Sequence, residues 1–208
     1  MVDMARQSIA SVHTLGSPSN EGVFHFPFTV AVQLQGTSDL LFCRFSPDAV
    51  LSKASLPKGS RGKKEDDIEA FLYRNEQGEI SLPGEYVRQS VIHASKYWQD
   101  PRNPRKSAMD LVKAGVVCLT PLASLGIKEP DYLDRRRVVV QRNAVVRVRP
   151  AICKGWTCEM LFQVMLPEYI TPEFFHELLL QAGRLIGVGD FRPTFGRYTV
   201  IKYELLKE

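Results

Sequence analysis

The passage from helix to strand near the C-terminal end constrains the fold most. TPEFFHELLLQAGRLIG, residues 171–187, places Phe174, Leu178, Ala182, Leu185 and Ile186 at the spacing of a helix with one buried stripe. Thr171 is a good N-cap, Pro172 occupies the first helical position, where its missing N–H costs nothing, and Gly187 is a natural stop. The chain then runs through IGVGDFRPTFGRYTV, residues 186–200, into a strand-like RYTVIKYEL. Upstream lies the strongest β signal, residues 135–166, rich in Val and divided into two arms by Lys154-Gly155. A helix with one apolar stripe between strands must bury that stripe on a sheet.

The N-terminal half supplies the rest of the pattern. From Phe28, Val30, Val32 and Leu34 alternate with Thr29, Ala31, Gln33 and Gln35, the signature of a half-buried strand, and residues 40–45 read as a second short strand or its continuation. Pro83-Gly84 marks a break, after which Val87, Val91, Ala94 and Trp98 recur at helical spacing. Residues 107–126 read as a helix capped by Ser107 that runs into a strand at Val116–Leu119. The order β-α-β-β-α-β predicts an α+β, ferredoxin-like (RRM-like) antiparallel sheet with helices on one face. The expected strands are 28–35, 138–148, 156–166 and 197–204, with helices 85–99 and 172–186. In the RNA-recognition motif the same layout binds single strands on its open sheet face.

Residues 1–22 read as a loose leader, and 23–208 as one RRM-like domain with a polar, thumb-like insertion around 52–80. The insertion opens with Lys53, Lys58, Arg61, Lys63 and Lys64 and then turns acidic, so it fits either a solvated loop or a basic finger that orders on phosphates. Formal net charge is +4, which permits a nucleic-acid partner without requiring one. Cys43, Cys118, Cys153 and Cys158 form no CxxC pair and no zinc set with histidines; free thiols in a reducing compartment, no metal and no cofactor are expected. No secretory h-region and no apolar run of about 20 residues is present, so a cytoplasmic chain without a membrane partner is expected.

The stretch 186–200 fits no nucleotide fingerprint. Its Gly-x-Gly follows a helix rather than a strand, and no Gly-Lys-Ser/Thr is present. The pattern of a helix, Gly187 and Gly189, Arg192 in a bend, then Gly196-Arg197 entering a strand resembles the C-terminal glycine-rich loop of the repeat-associated mysterious protein (RAMP) superfamily of CRISPR systems. SLPGEYVRQSVIHA, residues 81–94, is similar to the IPGSSLRGALR segment of effector-complex backbone subunits, with Pro83, Gly84 and Arg88 at matching places. Glu85-Tyr86 replaces the usual small pair, Gln89-Ser90 follows Arg88 where a Gly is usual, and Asp190 adds an anion to the loop.

The resemblance implies a non-catalytic RNA-binding subunit that assembles with copies of itself or related subunits along a guide-like single strand. Its expected nucleic-acid contacts are Arg88, Arg142, Arg147, Arg149, Gly187, Gly189, Arg192, Gly196 and Arg197, with Lys58, Arg61, Lys63 and Lys64 of the insertion. Arg135, Arg136 and Arg137 add to the basic strand, which has no acidic residue between positions 135 and 149. Such arginines suit either a solvated strand face or one that tracks phosphates. Phe191, Phe195, Tyr198, Tyr86 and Trp156 either stack bases or fill the core. The resemblance also admits a metal-independent endoribonuclease, or a viral mimic that blocks a CRISPR complex. For that enzyme the candidates are the histidines His25, His93 and His176, each isolated in sequence, while Asp39, in the loop after the first strand, is the candidate for the aspartate that the resemblance implies in metal-dependent RNA-cleaving backbone subunits.

Overall fold

The computed structural model describes residues 26–44, 68–140 and 143–206. Strand β1 (Phe28–Gly36) turns through residues 37–39 into the two-residue β2 (Leu40–Leu41). After a 3-10 turn at Glu69–Phe71 come β3 (Ser81–Pro83), helix α1 (Gly84–Ala94), the small pair β4 (Gln99–Asp100) and β5 (Asn103–Ser107), helix α2 (Met109–Gly115), β6 (Val116–Cys118) and β7 (Leu122–Ser124). The second half contains β8 (Tyr132–Val140), β9 (Asn143–Ile152), β10 (Thr157–Val164), helix α3 (Pro172–Leu185) and β11 (Tyr198–Leu206).

The central sheet has the order β11-β1-β10-β6, and every neighbouring pair is antiparallel. With α1 between β1 and β6 and α3 between β10 and β11, this is the ferredoxin-like α+β arrangement. Phe28, Val30, Val32 and Leu34 of β1 point to the helices with Met160, Phe162 and Val164 of β10, all buried. Phe175 of α3 meets Phe162 edge-on at 5.6 Å, and the Thr171 side chain caps α3 by accepting from the Phe174 N–H at 3.2 Å.

Several local expectations change. Residues 138–148 do not join the central sheet; they lie in the β8–β9 hairpin, whose register runs from Tyr132↔Ala151 to Val140↔Asn143 and which β2 extends by pairing with β9. The fourth central strand is Val116–Cys118. Lys154-Gly155 does not fold two arms onto each other, because it separates β9 in one sheet from β10 in the other. Helix α1 stops at Ala94 and passes through a 3-10 turn, so Trp98 is no longer helical. Ser107 ends a strand, and α2 begins after Ala108 without a side-chain cap. Leu185 is exposed, and Phe175, Leu179 and Gly183 complete the buried face of α3 instead. Of the insertion, residues 52–67 lie outside the described residues; residues 68–80 hold the 3-10 turn and an isolated bridge between Arg74 and Ile80.

Helix α3 crosses the start of β11 so closely that a Cβ on Gly183 would lie 2.1 Å from the Tyr198 carbonyl oxygen. Alanine favours a helix over glycine by about 1 kcal/mol, but here the added atom meets backbone, which cannot swing aside. We expect Gly183→Ala to lower the melting temperature in a calorimetric scan, with a net loss of about 1–3 kcal/mol typical of overpacking. An unchanged or raised melting temperature would show that the helix shifts freely.

Candidate nucleic-acid interface

The glycine-rich loop folds back onto the corner between β1 and β2. The Val188 N–H donates to the Gly196 carbonyl at 2.9 Å and closes the loop on itself. The Asp190 N–H donates to Leu41 O at 2.9 Å, Gly196 N–H to Asp39 O at 2.7 Å, and Thr37 N–H to Arg197 O at 2.8 Å. Gly187, Gly189 and Gly196 have φ of +73°, +78° and +71°. A Cβ would sit 2.5 Å from Leu41 O at Gly189 and 1.7 Å from Val188 O at Gly196. These glycines therefore let the chain's own backbone approach itself; their role as direct nucleic-acid contacts gains no support from these contacts.

Side chains join this loop to the hairpin. Arg149 is 2% exposed, which corrects the expectation that it tracks phosphates. Its Nε donates to Asp190 Oδ2 at 3.0 Å, its Nη1 to Val148 O at 3.2 Å, and its guanidinium lies 4.4 Å from the centre of the Phe71 ring. The anion in the loop is thus neutralised by a buried cation, rather than left to repel a phosphate. Arg136 is clasped in the same way. It pairs with Asp134 and lies 4.7 Å and 4.5 Å from the Phe191 and Phe195 ring centres.

Asp39, the candidate catalytic aspartate, has both oxygens occupied. Oδ1 accepts from the Lys154 N–H at 2.8 Å and Oδ2 from the Tyr132 hydroxyl at 2.7 Å. It anchors the hairpin base and the turn after β9. Arg88 likewise belongs to packing: Nε donates to Val116 O, Nη2 to Lys113 O and Nη1 to Glu85, at 2.7, 2.7 and 2.9 Å. Trp156 and Tyr198 are core residues. The His176 ring packs 4.6 Å from Tyr203, and His93 is exposed.

Arg192 and Arg197 are exposed, and neither makes a salt bridge among the described residues. Arg197 is steered by its own loop, its Nε donating to Pro193 O at 2.8 Å. The hairpin divides its arginines by alternation. Arg136, Arg147 and Arg149 share the face that turns to the loop, while Arg135 and Arg137 lie on the opposite, exposed face beside Val139 and Val146. Arg142, Lys58, Arg61, Lys63, Lys64 and His25 lie outside the described residues.

The open face of the central sheet differs from an RNA-stacking platform. Its described positions include Thr29, Ala31, Gln33, Glu159, Leu161, Gln163, Lys202 and Glu204, with no aromatic ring and two carboxylates against one lysine. Beside the loop, by contrast, a cavity of about 370 Å³ is lined by Cys43, Tyr86, Gln89, His93, Gly189, Asp190 and Arg192. This cavity was hidden in the sequence, because its lining comes from three separated segments. The spacing of Tyr86, Gln89 and His93 on one helical face was its sole visible trace.

No family model matches the sequence, and no curated protein matches it. Among solved structures, a chain in the cryo-EM structure of the Type III-B Cmr-beta bound to cognate target RNA shares the fold, with a TM-score of 0.55 and 10% identity. The match covers 88% of this chain and 61% of that chain. No helix among the described residues is long and apolar enough to cross a membrane.

Burial and the hydrogen bond to Asp39 push the Tyr132 phenol up to about 12. A raised folded-state value means stability that is fully present below the ordinary tyrosine range near pH 10 and is lost as pH rises through about 12. Wild type should therefore melt above Tyr132→Phe at pH 8, and the gap should close as pH approaches 12. A gap independent of pH would contradict the Tyr132–Asp39 anchor.

Proposed function

We propose that this chain is a non-catalytic RNA-binding subunit of a CRISPR-type ribonucleoprotein, a single RRM-like domain that assembles in repeated copies along a single strand. The observation that carries the reading is the charge arrangement of the loop. Its acidic residue pairs with buried Arg149, while Arg192 and Arg197 are exposed and have no salt-bridge partner among the described residues. Charge-assisted bonds from free guanidinium groups suit phosphates. The fold likeness to a chain of the RNA-bound Type III-B Cmr-beta structure supports the same reading. So does Asp39, whose carboxylate is tied up by the fold.

In this reading RNA follows the loop and the loop-facing side of the hairpin. Arg135 and Arg137 on the outer face meet the strand as it passes over the hairpin edge, and the basic residues of 52–67 add positive charge for the same strand. The open sheet face, with its apolar and acidic positions, is left for neighbouring protein subunits.

The test is anisotropy of a labelled single-stranded RNA across a range of salt. Removing one phosphate-binding cation should lower the salt slope on a single strand by about 0.7, so Arg192→Ala with Arg197→Ala should lower it by about 1.4. Affinity should fall by about tenfold or more, equivalent to ~1.4 kcal/mol. Stability should stay within ~0.5 kcal/mol, because both side chains are exposed. Unchanged affinity with a lowered melting temperature would make the loop a structural clasp and refute the assignment.

A further inference from the structure

We infer that the cavity between α1 and the glycine-rich loop receives one base of the bound strand, with the adjoining phosphate on Arg192. The inference rests on the RNA-binding reading above and deepens it. The cavity, about 370 Å³, lies near the lower end of the ~300–1,000 Å³ range of small-ligand sites, room for one nucleotide rather than a length of strand.

The helix supplies a prepared wall. Tyr86, Gln89 and His93 occupy one face of α1 on successive turns. The Tyr86 hydroxyl bonds Tyr73 at 2.9 Å, and the two rings meet edge-on at 5.8 Å, so Tyr86 is held in place rather than free to rotate. Gln89 Nε2 is held by Glu85 at 2.6 Å, which leaves its amide oxygen to accept a bond. His93 is exposed and hydrogen-bonds to no described residue. A fixed ring with an amide oxygen and an imidazole beside it matches the face and edge of a nucleobase. Stacking on such a ring tolerates any base.

The loop supplies the charge. Asp190 is no obstacle, since Oδ2 accepts from Arg149 and Oδ1 from the Phe191 N–H at 3.0 Å. Burial pushes the Cys43 thiol up, so it stays neutral. Arg192 is then the cation of the lining without a salt-bridge partner among the described residues, placed to hold a phosphate. The other cavities fit a base less well. The one on the open sheet, about 250 Å³, is lined by Glu159 and Glu204. The one beside α3, about 620 Å³, contains Glu177, and its Trp98 indole is already bonded to Gln181.

The test compares a single-stranded RNA with an abasic ribose-phosphate oligomer of the same length, on the full chain and on the double variant Gln89→Ala with His93→Ala, at a half-buried and an exposed position. Wild type should prefer the intact strand by about tenfold, a preference worth ~1.4 kcal/mol, and the double variant should lose most of that preference. Its salt slope should not change, whereas Arg192→Ala should lower the slope by about 0.7. An intact-over-abasic preference that the double variant retains would overturn the base pocket while leaving RNA binding in place. Failure of wild type to bind either strand would overturn both readings. Saturable binding of AMP or UMP by a chain that binds no RNA would make the cavity a free-nucleotide site and overturn the inference.

Discussion

The contact between Arg149 and Asp190 organises the end of the molecule that holds the glycine-rich loop and the hairpin. A guanidinium that is 3% exposed carries a heavy desolvation penalty unless its donors are met, and here a carboxylate, a backbone carbonyl and the Phe71 ring meet them. The three partners come from the glycine-rich loop, the hairpin and the segment before β3. One charge thus fixes the relative positions of elements that share no strand pairing. It also pairs the loop's negative charge, while exposed Arg192 and Arg197 have no salt-bridge partner among the described residues. Arg136, held between Phe191 and Phe195, ties the same two elements a few residues away.

The frame of the fold was legible because its signals are local. The alternation in β1, the Thr171-Pro172 cap of α3 and the glycine stop at 187 each follow from a few neighbouring residues. The hairpin was misplaced for the opposite reason. A Val-rich run proclaims a strand but not its partner, and β9 pairs with β8 and β2 rather than with the strands around β1. Arg147 and Arg149 look alike in sequence, since both alternate with valine or proline. Arg149 is the buried one because Asp190, 41 residues away, folds over it. The three loop glycines stood out, but their reason is close approach to the backbone of Gly196, Leu41 and Val188, contacts that no local pattern carries.

The ferredoxin-like layout is shared with sheets that bind RNA on their open face, yet layout alone does not choose the binding surface. In this chain the open face holds Glu159, Glu204 and apolar Leu161, without an aromatic ring among the described positions. Exposed Arg192 and Arg197 stand on the loop instead, and exposed Arg135 and Arg137 on the outer face of the hairpin. Function on this reading has moved from the sheet to the elements at its end. The sheet carries the fold and positions the loop, and the loop and α1 are the proposed binding elements.

The most direct measurement is ultraviolet crosslinking of the full chain to single-stranded RNA, with the crosslinked peptides identified by mass spectrometry. The account predicts crosslinks within residues 132–152 and 186–197 and at the α1 face around Tyr86 and His93. Crosslinks confined to β1 and β10, on the open sheet face, would contradict it.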